Sequence, residues 1–303
     1  MSAFVFLLVC TQCSQKEPEI PTAVIDKTSN KLPAGKGALK VLAIGNSFLE
    51  DPLEYLGTIV SRSGINRGDI CIYAAIENST SLEYWAMTCK NQSEVTIVRY
   101  AGTMAMPTTK APLIELLNQD WDVVTVQQLS NFAQDANKLQ PDLSYLVSQI
   151  REHCPNKDVV IAWQQVWSYW GGSLQQSIDS WQNISDVAKL TLDYDVDMII
   201  PTGTAIQNAR ETTLNTPHGL LRDEKHLAFG VGRYVAACTW FEAIISPVFG
   251  VSVVGNPAIH AITESEQSRS IYETAPVTLE NRILCQQCAA AAVANPSQIT
   301  IIE

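Results

Sequence analysis

The chain has 303 residues, of which 46% are hydrophobic and 17% charged, enough apolar material for a sizeable core and an ordinary globular composition. The formal net charge of -11, without any dense Lys/Arg run, argues against nucleic acid as a partner, since phosphates would be repelled.

The chain opens with Ala3 to Val9, an apolar run too short to span a bilayer, followed by Cys10, Cys13 and a polar stretch. This pattern reads as a signal segment over 1–13, of the lipoprotein kind or simply cleaved. In the lipoprotein reading Cys13 takes the lipid in preference to Cys10, because the polar tether begins directly after it. Residues 14–36, rich in Pro, Lys, Glu, Ser and Thr, read as a flexible tether. The expectation is an exported protein, membrane-anchored and facing the periplasm or the cell surface. Residues 37–303 then form a single domain with a C-terminal extension from about 250.

Leu39 to Ile44 is a short apolar run ending at Gly45, which predicts a buried strand. Asp51 to Ser63 has helical spacing of Leu53, Leu56, Ile59 and Val60. Ile70 to Ile76 predicts a second strand, and Val95 to Tyr100 a third, in a small excursion from the main sheet. A helix over 111–118 precedes a β-branched strand at Asp122 to Val126. Pro141 starts a helix to His153. Further strands are predicted at Asp158 to Trp163 and Asp197 to Ile200, separated by a helix over 173–194. A last helix runs from Leu227 to Ile245. Strands alternating with helices imply an α/β fold: a three-layer α/β/α sandwich around a flavodoxin-like, mostly parallel five-stranded sheet. In such sheets reactive groups collect at the carboxyl ends of the strands.

Of the eight cysteines, Cys285 and Cys288 form a C-x-x-C inside a helical, Ala-rich segment. The others lack metal spacing, so buried thiols or one local disulfide are expected, with no metal and no cofactor.

Two segments bear chemistry. Gly45-Asn46-Ser47-Phe48 places Ser47 on the turn between the first strand and its helix, where a helix N-terminus favours a negative oxygen. A serine there commonly does no more than cap the helix. A hydroxyl nucleophile needs a base, and Asp223-Glu224-Lys225-His226 offers one. At three-residue spacing on a helical turn the two side chains touch, the carboxylate holding one imidazole nitrogen and leaving the other as base. An Asp-x-x-His also arises by chance; the other three histidines lack the pattern.

Together, Gly-Asn-Ser-Phe near the start and Asp223-x-x-His226-Leu227, with Gly230 and Tyr234, near the end resemble the first and last blocks of the SGNH (GDSL-like) hydrolase superfamily. More narrowly they are similar to a poorly characterised branch of secreted bacterial members whose first block reads G-N-S-F. The resemblance spans about 37–246. It implies the three-layer fold, Ser47 as nucleophile and Asp223 and His226 as its partners. It also implies an oxyanion hole made by a glycine N–H in block two and an asparagine side chain in block three. Block three reads Gln127-Gln128-Leu129-Ser130-Asn131 here, which aligns Asn131 with the donor and leaves Gln128 as the alternative. Block two has no glycine, so Asn78 or Ser79 would carry its backbone donor. The stretch Trp163 to Gly172 leaves the fourth strand on the same edge. Trp167 there would stack on a sugar or pack over the sheet end, and Gln164 and Gln165 would line the cleft.

The expected function is that of a serine esterase acting on acyl groups, O-acetyl groups on carbohydrates foremost. The substrate is then a small-molecule or polysaccharide ester. The alternatives are a glycan-binding protein that has lost turnover and a lipase or thioesterase.

Overall fold

Short β-branched runs that end at glycine or polar residues become strands in the computed structural model, which describes residues 32, 35–101, 104–105 and 108–302. In chain order the strands and helices are β1 (Leu39–Gly45), α1 (Ser47–Arg62), β2 (Ile70–Ile76), α2 (Leu82–Lys90), β3 (Glu94–Ala101), β4 (Met104–Ala105), β5 (Thr109–Pro112), α3 (Leu113–Leu117) and β6 (Val123–Val126). There follow α4 (Asp142–His153), β7 (Val160–Gln164), α5 (Leu174–Leu190), β8 (Met198–Ile200), α6 (Thr202–Arg210), α7 (Val231–Trp240), α8 (Ser246–Phe249), α9 (Glu264–Ser268) and α10 (Arg282–Ala294).

The sheet runs β4-β3-β2-β1-β6-β7-β8, with β5 paired to β3. Five of these strands, β2-β1-β6-β7-β8, are mutually parallel. That is the flavodoxin-like order, with its reversal beside β1. The strands β3, β4 and β5 add an antiparallel edge, so among the described residues the sheet has eight strands, the expected five parallel ones and these three. Successive residues of the central strands point to opposite faces, and both faces are covered. Val41, Ala43, Ile72 and Ala162 pack with α1, α6, α7 and α10. Leu42, Ile44, Val124 and Ile161 pack on the other side with α2, α3 and α4.

Three local departures have clear causes. Helix α1 begins at Ser47 rather than Asp51, because Asn46 caps it and accepts from the Phe48 amide. Helix α7 begins at Val231 rather than Leu227. Gly230 (φ 76°) stands before it in a backbone conformation that side chains resist. A Cβ there would lie 2.0 Å from the Ala275 carbonyl oxygen. Helix α6 was not predicted: every one of its nine residues is buried, so it has no polar stripe to mark its period.

The C-terminal extension is woven into the domain. Ala275 bridges to Gly230, His260 bridges to Val277, and α10 packs against α6 and α7. The Tyr55 hydroxyl lies 2.8 Å from His260 Nε2 and 2.9 Å from Glu266, and accepts from the Gly230 amide. Cys71, Cys89, Cys154, Cys238, Cys285 and Cys288 are free thiols, all but Cys71 buried. At the front, Leu32 is buried, Gly35 donates to the Val248 carbonyl and Lys36 pairs with Asp122, so the end of the expected tether is docked on the domain. Cys10 and Cys13 lie outside the described residues. No described helix is long and apolar enough to cross a membrane.

Candidate active site

Ser47 is the first residue of α1, directly beyond the carboxyl end of β1. Its N–H is among the first-turn amides that have no partner within the helix. Asn46 fixes this turn from three directions. Its Oδ1 accepts from the Phe48 amide and from Gln127 Nε2 at 2.6 Å, and its Nδ2 donates to the Thr80 carbonyl at 2.9 Å. Gly45 makes room for this arrangement: a Cβ there would meet Gln127 Cδ at 2.6 Å. The Asn of the first block therefore ties together the strand ends of β1, β2 and β6.

The second half of the site comes from the turn that leads into α7. Asp223 Oδ1 accepts from the amides of Lys225 and His226, both at 2.7 Å. Its Oδ2 lies 2.9 Å from His226 Nδ1. The pair meets through this side-chain-closed turn, sealed by the Leu221–Leu227 bridge, and not through the helical turn expected from the spacing. His226 Nε2 lies 2.9 Å from Ser47 Oγ. The carboxylate at Nδ1 calls for a proton on that nitrogen, so Nε2 is the acceptor for the Ser47 hydroxyl. Burial opposes ionisation of Asp223, but the His226 ring and the two turn amides outweigh it and hold the carboxyl well below the usual range.

Behind the imidazole sits a network that sequence reasoning missed. Asp51, one turn along α1 from Ser47, has 0% exposure. It accepts from the Leu227 amide at 2.8 Å, from Arg222 at 2.9 Å and from Arg233 at 2.6 Å. Arg233 also pairs with Glu54, and Arg222 donates to the Leu227 carbonyl. Both guanidinium groups lie over the Phe229 ring. Asp51 thus grips the residue after His226 from the helix that carries Ser47, which sets the spacing between hydroxyl and ring. Nothing in the local sequence marks Asp51 for this role, because its partners lie 171 or more positions away in the chain. Glu50 beside it has its carboxyl pushed up by burial and by Asp51, against the pull of Arg233, Arg222 and His226.

The remaining predicted residues divide. Trp167 is buried, stacks on Phe48 at 4.3 Å between ring centres and donates to the Lys225 carbonyl at 2.8 Å. It packs over the sheet end and bridges the Ser47 turn to the His226 turn, so no face is left for a sugar. Gln164 is buried too, accepting from Thr202 and from Trp240, and does not line a cleft. Gln165 accepts from Thr204. Gln128 is buried, accepts from the Leu82 and Leu129 amides, and its Nε2 spends one of its two hydrogens on the Lys138 carbonyl at 2.9 Å, so the side chain is turned toward its neighbouring backbone. Asn131 is exposed, and its Oδ1 accepts from the Tyr169 hydroxyl at 2.9 Å. Asn78 and Ser79 are exposed in the turn after β2, and Ser79 has φ 58°, the left-handed conformation a glycine would take. Among the described residues no group of three or more His, Cys, Asp or Glu is arranged to hold a metal ion.

No curated protein matches the sequence. Among solved structures, the chain is similar to a DUF4886 family protein from Bacteroides uniformis, at 27% identity and a TM-score of 0.70, over 87% of this chain and 97% of that one. A catalytic mutant of Axe2, an acetylxylan esterase from Geobacillus stearothermophilus, aligns at 12% identity and a TM-score of 0.46, over 70% of this chain and 94% of that one. LAE5, an alpha/beta hydrolase enzyme from the metagenome of Lake Arreo, Spain, aligns at 10% identity and a TM-score of 0.47, over 70% and 95%. Residues 40–275 match the model of a domain of unknown function, DUF4886, and the chain belongs to that family.

Proposed function

We propose that the protein is a serine esterase that hydrolyses acyl esters, O-acetyl groups on carbohydrates foremost. The observation that carries this reading is the continuous line of 2.9 Å contacts from Ser47 Oγ through the His226 ring to Asp223. Ser47 Oγ attacks the ester carbonyl carbon while His226 Nε2 takes its proton. The imidazolium formed is stabilised by Asp223. The tetrahedral oxygen carries the negative charge, and the Ser47 N–H, a backbone N–H of the 78–79 turn and the Asn131 side chain are its proposed donors. His226 then returns the proton to the leaving alcohol. A water molecule, deprotonated by the same nitrogen, attacks the acyl-serine, the acid departs and Ser47 regains its proton.

The test is hydrolysis of 4-nitrophenyl acetate. Ser47→Ala and His226→Ala should each lower kcat by about 10⁴-fold or more, because the two act as a unit. Turnover that survives either substitution sinks the esterase reading. One observation favours the alternative of a glycan-binding protein without turnover: block two lacks its glycine, and Ser79 holds that turn in a costly conformation. Wild-type protein inert toward acetyl esters but binding oligosaccharide would establish that alternative.

A further inference from the structure

Beside Asp223 the surface opens into a cavity of about 370 Å³, lined by Tyr169, Trp170, His218, Asp223, Glu224 and Tyr272 among others. We propose that this cavity is a subsite for one or two uncharged sugar rings of the substrate. The proposal rests on the esterase reading, whose acyl chemistry it places next to a glycan.

Three parts of the chain build the cavity. The loop after β7 supplies Tyr169 and Trp170. The turn before His226 supplies His218, Asp223 and Glu224. The C-terminal extension supplies Tyr272, whose amide donates to the Arg222 carbonyl alongside that of Ile271, at 3.1 and 2.7 Å. Tyr272 is therefore pinned to the residue next to Asp223. Its ring stacks on His218 at 3.8 Å between centres and 8° between planes. Trp170 is seated equally firmly: a Cβ on Gly219 would lie 2.3 Å from its ring. The buried Arg210 fastens the two walls beneath it, donating to the carbonyls of Ser168 and Gly219.

The cavity also communicates with the reacting groups. Two hydrogen bonds of 2.9 Å and the width of one imidazole separate its Asp223 wall from the Ser47 hydroxyl. On the other side the Tyr169 hydroxyl reaches Ser130 at 2.7 Å and Asn131 at 2.9 Å. A ring held here sits within one sugar's reach of an ester at Ser47.

The lining selects the ligand. Flat aromatic rings with polar edges suit the apolar faces and hydroxyl rims of pyranoses. The volume is at the small end of ligand pockets, which run from roughly 300 to 1,000 Å³, so it holds a ring or two and not an extended acyl tail. Asp223 and Glu224 are carboxylates, and no Lys or Arg lines the cavity, so a uronic acid meets repulsion.

The experiment titrates the full chain with xylotriose and with trigalacturonic acid, read by tryptophan fluorescence. Xylotriose should bind saturably, and trigalacturonic acid about tenfold more weakly at low salt, a gap that narrows as salt is added. Tyr272→Ala should weaken xylotriose binding about tenfold. Glu224→Lys, on an exposed side chain, should improve trigalacturonic acid binding and leave the protein folded. No saturable xylotriose binding, an unchanged affinity in folded Tyr272→Ala, or equal binding of the two sugars by the wild type overturns the proposal. Turnover of 4-nitrophenyl acetate, measured in parallel, reads the other claim. Binding without turnover keeps the subsite and removes the esterase; turnover without binding does the reverse.

Discussion

On one side of Ser47 the imidazole is held by a buried carboxylate, two arginines, a tryptophan and a closed turn. On the other side, the loops after β2 and β6 present Asn78, Ser79 and Asn131 to solvent. Asp51 has 0% exposure and three partners on the 222–233 segment, so any shift of His226 would strand a buried charge. Asn131 is held through one hydroxyl, that of Tyr169. The difference teaches that the His226 ring is positioned by the fold itself, whereas the proposed oxyanion donors depend on loop conformation. Preorganisation, the main source of oxyanion stabilisation, is thus weaker on that side.

The largest expected effect lies on the braced side. Asp51→Ala leaves Arg222 and Arg233 without their buried partner and should cost about 3–5 kcal/mol of stability, read by urea denaturation. A cost below about 1 kcal/mol would erase the contrast between the two sides. On the open side, Asn131→Ala should lower kcat for an acetyl ester by about 100-fold with the stability unchanged. A wild-type kcat in that variant would remove Asn131 from the donors.

A smaller effect follows from Asp223. Its folded-state carboxyl is depressed below the ordinary 3.8, so its contribution to stability is complete above that value and is lost as the pH falls toward the folded one. Wild type should therefore lose more stability than Asp223→Asn on acidification below about pH 5, and equal acid profiles would show that the turn gains nothing from the charge. The smallest effect is at the strained turn. Ser79→Gly relieves a left-handed serine and should raise stability by about 1 kcal/mol at most, seen as a small rise in Tm.

The parallel sheet was legible because its strands are continuous apolar runs ended by glycine or polar residues, and the helices with a polar stripe were legible by their period. Helix α6 was not, being buried all round, and the edge strand β5 was not, because its residues are exposed or half-buried and carry no apolar run. Within the site, Ser47, Asp223 and His226 stood out as residue types able to act together, and the chain does bring them within hydrogen-bond distance. What stayed hidden was direction. Trp167, Gln164 and Gln128 lie on the expected edge, yet each turns inward to satisfy a neighbouring strand end or turn. Residue type and position cannot distinguish a side chain facing a ligand from one facing its own backbone. Asp51 escaped notice for a related reason: its partners lie more than 170 positions away in the chain.

The bond between His226 and Ser47 joins positions 179 apart, and the segments that steady the imidazole turn, through Tyr272 and Ala275, come later still. A chain leaving the ribosome therefore displays its serine long before the imidazole has been translated. If the proposed chemistry holds, it waits for the 222–275 segment: until that stretch has emerged and folded back onto α1, the hydroxyl has no imidazole beside it to take its proton.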